Sequence, residues 1–424
     1  MAAALALPAM AAIEEQGALP LEDLRTFADV YNQIRVGYVE DIEDSTLLEY
    51  AIQGMLMGLD PHSVYLTKDD YEDLQDATSG EFTGLGLEVG MEDGYVKIIA
   101  PIDGSPAAEA GLQSGDVILK LGKVPVKGMS LNEAIDRMRG PAGSDITLSI
   151  GRPGESQPFD VTLVRDVIKV ASVRQRWLEP GYGYIRIAQF QTSTGADVTR
   201  ALKKLKDEQA LKGLVLDLRN NPGGVLRASV DVAGLFMDGG TVVYTEGRLP
   251  NSDMNFDAKA VDSTDGTPLV VLINSGSASA SEIVAGALQD HKRAVIMGTR
   301  SFGKGSVQTV LPISESRAVK LTTALYFTPN GRSIQAEGIE PDILVERAQV
   351  TAYNNARRIT EADLSGHLNN AGGNGERKNK NPSSGLLSRD NQLYEALTLL
   401  KGINVLGMRE QKPTAQLAAQ QGGS

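Results

Sequence analysis

"PLVVLINSGSASASEIVAGALQDHKRAVIMG" (Pro268–Gly298) decides the fold. "PLVVLIN" is a short apolar run of the kind a buried strand needs, "ASEIVAGALQDH" reads as a helix, and "AVIMG" returns to a strand. Strand, helix and strand in close succession predict a crossover unit of a parallel sheet. The same alternation runs through Gly181–Val310. "YGYIRIAQF" reads as a strand and "TGADVTRALKKLKDEQ" as an amphipathic helix. "GLVLDLR" is again a strand, followed by "NNPGG" and a helix through "VLRASVDVAGLF". In such sheets chemistry gathers at the carboxyl ends of the strands, where "NNPGG" (Asn220–Gly224) and "NSGSASASE" (Asn274–Glu282) both fall.

Four serines alternate in the second of these. The helix that follows needs an N-cap, and Ser279-Ala280-Ser281-Glu282 is an S-x-x-E capping box. Capping does not exclude catalysis. A serine on a sharp strand-to-helix turn presents its oxygen where backbone N–H groups and the helix N-terminus favour negative charge. The other serines read as small, permissive neighbours.

A nucleophilic serine needs a base. The chain has three histidines and no cysteine. His291 stands at the far end of the same helix, about 18 Å away at the usual helical rise. His62 and His367 lie in other segments with no motif around them. Lysine is the next candidate, and Lys304 stands in "GTRSFGKGSVQT" (Gly298–Thr309), flanked by Gly303 and Gly305. A lysine acts as a base only when neutral, so burial has to pull its pKa from about 10.4 to roughly 7–8. Gln308 falls on the same side of an extended segment and can hold an amine without adding charge. A rival reading takes "GTRSFGK" as a nucleotide-binding P-loop. Gly305 replaces the required Ser or Thr, however, and "SVQTVLPI" reads as a strand where a P-loop opens a helix. Gly223 and Gly224 of "DLRNNPGG" offer unobstructed N–H groups to an oxyanion, or simply make an Asn-Pro-Gly turn.

The whole composition sets bounds. A length of 424 residues suggests two or three domains, and 42% hydrophobic residues can fill several cores. A net charge of −13 with no basic stripe argues against nucleic acid as a partner. Without cysteine there is no thiol catalysis, disulfide or Cys-ligated zinc. No run reaches the roughly 18–20 apolar residues of a membrane span. "MAAALALPAMAA" reads as the back half of a secretory signal with cleavage around Ala9-Met10-Ala11; the plainer alternative is a frayed, alanine-rich start.

Outside the core, Leu21–Gln75 reads helical, with Leu24, Phe27, Val30, Tyr31, Ile34 and Tyr38 at three- and four-residue spacings. A second helix fits "STLLEYAIQGMLMGL" with Ser45 as N-cap, "LDPHS" (Leu59–Ser63) breaks the pattern, and a short helix follows around Asp69–Asp76. Phe82–Arg165 reads as a small β-domain with one good helix, capped by Ser130 and Glu133. Ala318–Ile343 reads as a hairpin around Pro329-Asn330-Gly331. Asn369–Ser384 has the composition of a disordered linker. Beyond it, Leu393, Leu397, Leu400 and Ile403 regain helical spacing; another subunit or the N-terminal helices are the expected partner of that short helix.

These stretches together resemble a known family. "NSGSASASEIVAGALQD", the lysine of "FGKGSVQ", "LDPHSVYL", "GEFTGLGLEV", "DLRNNPGG" and "LTTALYFTPNGRSIQAEGIEPDI" look like the carboxyl-terminal processing (tail-specific) proteases, the S41 serine peptidases, and above all their bacterial periplasmic members. The resemblance covers Leu21–Ile343. It implies a multidomain α/β chain: a crotonase/ClpP-like protease core with an inserted PDZ domain, an N-terminal helical segment and a C-terminal helical dimerisation segment. The implied divisions are a signal remnant at 1–12, N-terminal helices at 21–79, the PDZ domain at 80–167, the core at 168–348, a partly disordered linker at 349–384 and the C-terminal segment at 385–424. By resemblance, Ser279 is the nucleophile, Lys304 the general base and Gln308 its orienter. Ala280 and one of Gly223 and Gly224 supply the oxyanion hole. The PDZ loop Thr83-Gly84-Leu85-Gly86-Leu87 takes a substrate's terminal carboxylate. Leu131, Ile135 and Met138 line the groove or pack the helix core, and Arg139 contacts peptide or gates the site.

The resemblance also implies proteins with exposed C-termini as substrates, cell-wall hydrolases among them. It further implies a helical-repeat lipoprotein adaptor, a homo-oligomer (a dimer or an assembly of dimers) in the periplasm, and no cofactor or metal. A non-catalytic PDZ scaffold on a degenerate hydrolase core is the alternative.

Overall fold

The structure, a computed structural model, describes residues 20–102, 104–249, 252–259, 261–350, 361, 364–368 and 384–410. The expected signal remnant and most of the expected linker lie outside these residues. The chain divides into two compact units: the residues up to Thr67 with Gln308–Thr322, and Lys68–Val307 with the remainder.

In the first unit, α1 (Leu21–Gly37) and α2 (Asp44–Met57) follow the predicted apolar spacing. Glu43, not Ser45, is the N-cap of α2; the helix starts one residue before that serine. The stripe of α1 (Leu24, Phe27, Val30, Ile34) is exposed. "LDPHS" is an Asx-type turn. The Asp60 carboxylate accepts from the N–H of His62 at 2.8 Å and of Ser63 at 3.0 Å, and from the Ser63 hydroxyl at 2.6 Å. The turn leads into β1 (Val64–Leu66).

The second unit opens with α3 (Lys68–Ser79) and β2 (Glu81–Gly84). The predicted β-domain follows: β3 (Leu87–Glu92), β4 (Tyr95–Pro101), α4 (Pro106–Glu109), β5 (Val117–Leu121), β6 (Val124–Pro125), α5 (Leu131–Met138), β7 (Asp145–Gly151) and β8 (Phe159–Val164). Its sheet runs β3-β4-β5-β7-β8 around buried Val96, Ile98, Ile118, Leu148 and Ile150. The capping box at α5 forms as expected, with Ser130 and Glu133 bonded reciprocally. β9 (Asp166–Lys169) pairs antiparallel with β2, so the domain enters and leaves the chain at one point, as an insertion must.

The core continues with β10 (Val173–Glu179), β11 (Tyr182–Ile187), α6 (Thr194–Glu208), β12 (Gly213–Asp217), α7 (Leu226–Gly234), β13 (Thr241–Gly247), β14 (Met254–Asp257), β15 (Leu269–Ile273), α8 (Ala280–Asp290), β16 (Val295–Gly298), β17 (Ser306–Ser314), β18 (Arg317–Phe327) and β19 (Ile343–Leu344). One six-stranded sheet has the order β10-β11-β12-β15-β16-β19, parallel from β11 onward, as the alternation predicts. The first half of β18 pairs with β1 and its last residues with β13. The expected hairpin at Pro329–Gly331 shrinks to one bridge, Phe327 to Ser333. The return arm instead gives its backbone to the lysine loop, where the Ala336 N–H bonds the Gly303 carbonyl at 2.9 Å.

Every residue of β12 and β15 is buried. Leu214, Leu216, Val271 and Ile273 face the crossover helices, while Val215, Val270, Leu272 and Met297 face the opposite way. That second face is covered by α9 (Ser384–Arg389) and α10 (Asn391–Glu410), which bury Leu393, Ala396 and Leu400 against it. The C-terminal helix therefore packs on its own sheet, whereas its spacing and the linker before it predict another subunit or the N-terminal helices as its partner. A sheet buried on both faces needs a cover on both, and this helix supplies the second.

Candidate active site

Between β15 and α8 the backbone folds back sharply. Ser279 takes φ 55°, ψ −113°, a region that costs a non-glycine residue on the order of 1–3 kcal/mol and persists only where the surroundings impose it. The surroundings here are the "LRNN" turn. Ser277 Oγ donates to the Leu218 carbonyl (2.8 Å) and Ser281 Oγ to the Asn221 carbonyl (2.9 Å), which also accepts the Ala278 N–H at 2.9 Å. The Asn220 N–H donates to Asn274 Oδ1, and Asn274 Nδ2 returns a bond to Asn220 Oδ1, both at 2.8 Å. Ser277 and Ser281 are thus wholly buried clamps rather than permissive neighbours; Ser275 alone of the four is exposed.

The glycine pair lies against this turn. A Cβ on Gly223 would stand 2.8 Å from both Ser279 Cβ and the Ala278 carbonyl oxygen, and 3.1 Å from the Ala280 nitrogen. At φ 102° the position is closed to other residues on conformational grounds as well. The Gly223 N–H is already donated to Asn221 Oδ1 at 2.9 Å. The N–H groups of Gly224 and Ala280 have no acceptor among the described residues.

The loop between β16 and β17 carries Lys304, half-buried. Its flanking glycines are there for backbone contact: a Cβ on Gly305 would meet the Gln335 nitrogen at 2.6 Å. The loop runs into a strand, not a helix, which removes the P-loop reading. One residue joins it to the serine. Glu282 is wholly buried, and its Oε2 accepts from the Ser279 N–H (2.7 Å) and the Lys304 N–H (2.9 Å). Its Oε1 accepts from the Ser301 hydroxyl (2.6 Å) and the Gly303 N–H (2.7 Å). The capping box of the sequence forms, but its carboxylate also holds the lysine loop. Burial pushes the Glu282 carboxyl above its ordinary value, outweighing the four hydrogen bonds that pull it down.

Tyr326, from the end of β18, donates to the Lys304 carbonyl and is hydrogen-bonded to the Ser279 side chain. Its phenol is pushed well above the usual range, first by burial and then by the Glu282 charge. Sequence reasoning missed Tyr326 and Ser301; nothing marks either as more than a strand or loop residue. Two of the three histidines are engaged elsewhere: the His291 ring lies 2.8 Å from the Thr241 carbonyl oxygen and the His367 ring 3.1 Å from that of Leu364.

Gln308 belongs to the first unit. Its Nε2 donates to Thr322 Oγ1 at 3.3 Å, and Thr322 Oγ1 donates to Asp60 Oδ1 at 3.2 Å. "LDPHS" therefore fixes the residue that fixes the glutamine amide.

In the β-domain a cavity of about 230 Å³ is lined by Phe82, Gly84, Leu85, Gly86, Leu87, Val89, Ile135, Met138 and Arg139. Thr83 and Leu131 are not part of it: Thr83 pairs with Val167 in the ribbon, and Leu131 packs on the domain core. The N–H groups of Leu85 and Gly86 have no acceptor among the described residues. Arg139 pairs with Asp73 (3.0 Å) and Asp76 (3.5 Å) of α3.

Comparison with known proteins agrees with this layout. Residues 181–345 match the peptidase family S41, residues 97–152 the PDZ domain, and residues 6–70 the "Activating protease CtpB N-terminal domain". A carboxy-terminal-processing protease of Bartonella bacilliformis is 48% identical over 90% of this chain and 89% of its own length. A carboxyl-terminal-processing protease of Synechocystis is 42% identical over 71% of each. Among solved structures, the photosystem II D1 C-terminal processing protease is 34% identical, covering 76% of this chain and 86% of that one, with a TM-score of 0.45. The chain belongs to family S41 and is a serine-type peptidase. Within it, the sequence similarity is to the carboxy-terminal processing proteases, with a PDZ domain inserted ahead of the core.

Proposed function

We propose that this chain is an endopeptidase working through a Ser279–Lys304 dyad and choosing substrates by their C-termini. The observation that carries the reading is the double grip of Glu282 on the Ser279 and Lys304 N–H groups, which brings together two segments far apart in sequence. A neutral Lys304 amine takes the proton of Ser279 Oγ as that oxygen bonds to the scissile carbonyl carbon and the carbonyl electron pair moves onto its oxygen. The Ala280 N–H and a glycine N–H stabilise that oxyanion. Gly224 is the better placed of the pair, because the Gly223 N–H already has an acceptor. Lys304 then returns the proton to the leaving nitrogen as the C–N bond breaks, and water cleaves the acyl-enzyme by the same route. Gln308 orients the amine.

In the PDZ cavity the free N–H groups of Leu85 and Gly86 suit a terminal carboxylate, with the peptide adding as a strand beside α5. The protein is further proposed to act in the periplasm as a homo-oligomer, on exported proteins that include cell-wall hydrolases, and to be activated by a helical-repeat lipoprotein adaptor. The test compares wild type, Ser279→Ala and Lys304→Ala on an unfolded protein with an apolar C-terminus. Either variant cleaving at the wild-type rate would sink the dyad.

A further inference from the structure

Behind the oxyanion turn lies a second polar cluster. Asp217 ends β12 wholly buried, and its carboxylate accepts from Tyr184 Oη at 2.8 Å and from Arg219 Nε (3.0 Å) and Nη2 (2.7 Å). The far edge of the same guanidinium reaches the C-terminal helix. Nη1 donates to Asp390 Oδ1 and Gln392 Oε1, both at 2.9 Å, and Nη2 donates to Asp390 Oδ2 at 2.7 Å. All five guanidinium N–H donors are therefore used. Asp390 in turn accepts the Leu393 N–H at 3.0 Å at the start of α10, and Gln392 Nε2 donates to the Val345 carbonyl at 2.7 Å. Burial alone would raise the Asp390 carboxyl; the Arg219 bonds outweigh it and hold it below its ordinary value.

Stability alone does not call for this. The apolar face of α10 already closes the sheet, and a buried ion-pair network stabilises no better than packed apolar residues of its size. What such a network supplies is one fixed geometry. Its centre, Arg219, immediately precedes Asn220, held at φ 53°, and the turn that runs on to Gly223 and Gly224.

We propose that Asp390 and Gln392 are positioning residues for the peptidase reaction: the C-terminal helix grips Arg219 and thereby sets the oxyanion turn. The inference rests on the Ser279 reading above. Loss of a whole oxyanion donor costs about 10²–10³ in kcat, and a turn displaced but not lost should cost about 10-fold.

The test uses the full chain with a peptide substrate bearing a free C-terminus. Asp390→Asn keeps an oxygen for the Leu393 N–H, so the helix stays capped, but loses the charge and the paired acceptors. It should lower kcat about 10-fold with KM unchanged. Arg219→Lys should do the same, and the double variant should fall little further, since both break one link. Wild-type kcat in both single variants, or a loss that appears in KM or in the folded fraction instead, would overturn the proposal. Ser279→Ala separates the two readings. Turnover surviving it overturns the nucleophile assignment and this inference together. Its abolition alongside unaltered Asp390→Asn and Arg219→Lys variants overturns only the latter.

Discussion

Glu282→Gln is the most informative single change, because it removes a charge while keeping the shape. The wild-type carboxylate takes two donors on each oxygen. An amide nitrogen placed at Oε2 would face two backbone N–H groups, of Ser279 and Lys304, and neither can turn round. Placed at Oε1 it faces the Gly303 N–H and the Ser301 hydroxyl, and a hydroxyl can reverse to accept. The glutamine should therefore keep its oxygen on Ser279 and Lys304 and leave one clash, at Gly303. Losing a charged acceptor there costs about 1.5–3 kcal/mol. Part of this is returned, because a neutral group no longer bears the cost of burying charge. The expected net loss is about 1–3 kcal/mol at neutral pH. Glu282→Ala, by contrast, strands three backbone N–H groups at about 1–3 kcal/mol each, and the chain should not hold its fold.

The sign of the pH dependence follows from the raised carboxyl. A group whose folded pKa lies above its unfolded value stabilises fully below the unfolded value, here 4.5, and loses that contribution as pH rises through the folded one. The margin of wild type over Glu282→Gln should therefore shrink as pH climbs from about 4.5 and then level off. Urea unfolding of both forms in a Ser279→Ala background, which prevents self-digestion, measures it. A margin that widens with pH, or a glutamine variant more stable than wild type throughout, would refute the reasoning.

Gly223→Ala should abolish turnover and destabilise the core, since its methyl would stand 2.8 Å from Ser279 Cβ at a φ of 102°; normal kcat would show that the turn yields. Tyr326→Phe removes the donor to the Lys304 carbonyl and should cost about 1–2 kcal/mol of stability together with kcat, read by urea titration and initial rates. Ile135→Asp places a charge in the PDZ cavity and should weaken peptide binding, read by fluorescence anisotropy in a Ser279→Ala background, while with Ser279 intact the variant cleaves short peptides that do not reach the cavity as before.

The core was legible because its strands and helices differ in period, and because capping boxes at Ser130 and Ser279 mark helix starts on local chemistry alone. Periodicity shows that a helix has an apolar face but not which surface that face meets. The surface that α10 covers is of this kind. The missing signal was nevertheless present: "GLVLD" and "LVVLI" are apolar at every position, so the sheet needs covers on both faces. The sequence marks Glu282 as a capping residue; its hold on the lysine loop is what the structure adds. A capping glutamate ordinarily sits in water. Here the three helix residues that follow it, Ile283, Val284 and Ala285, are buried with it, and an acid embedded in so apolar a helix has to find donors inside the protein. The donors it finds are the N–H groups of Ser279, Gly303 and Lys304 with the Ser301 hydroxyl, so the desolvation cost of this one carboxylate is met by fixing the lysine loop to the serine turn.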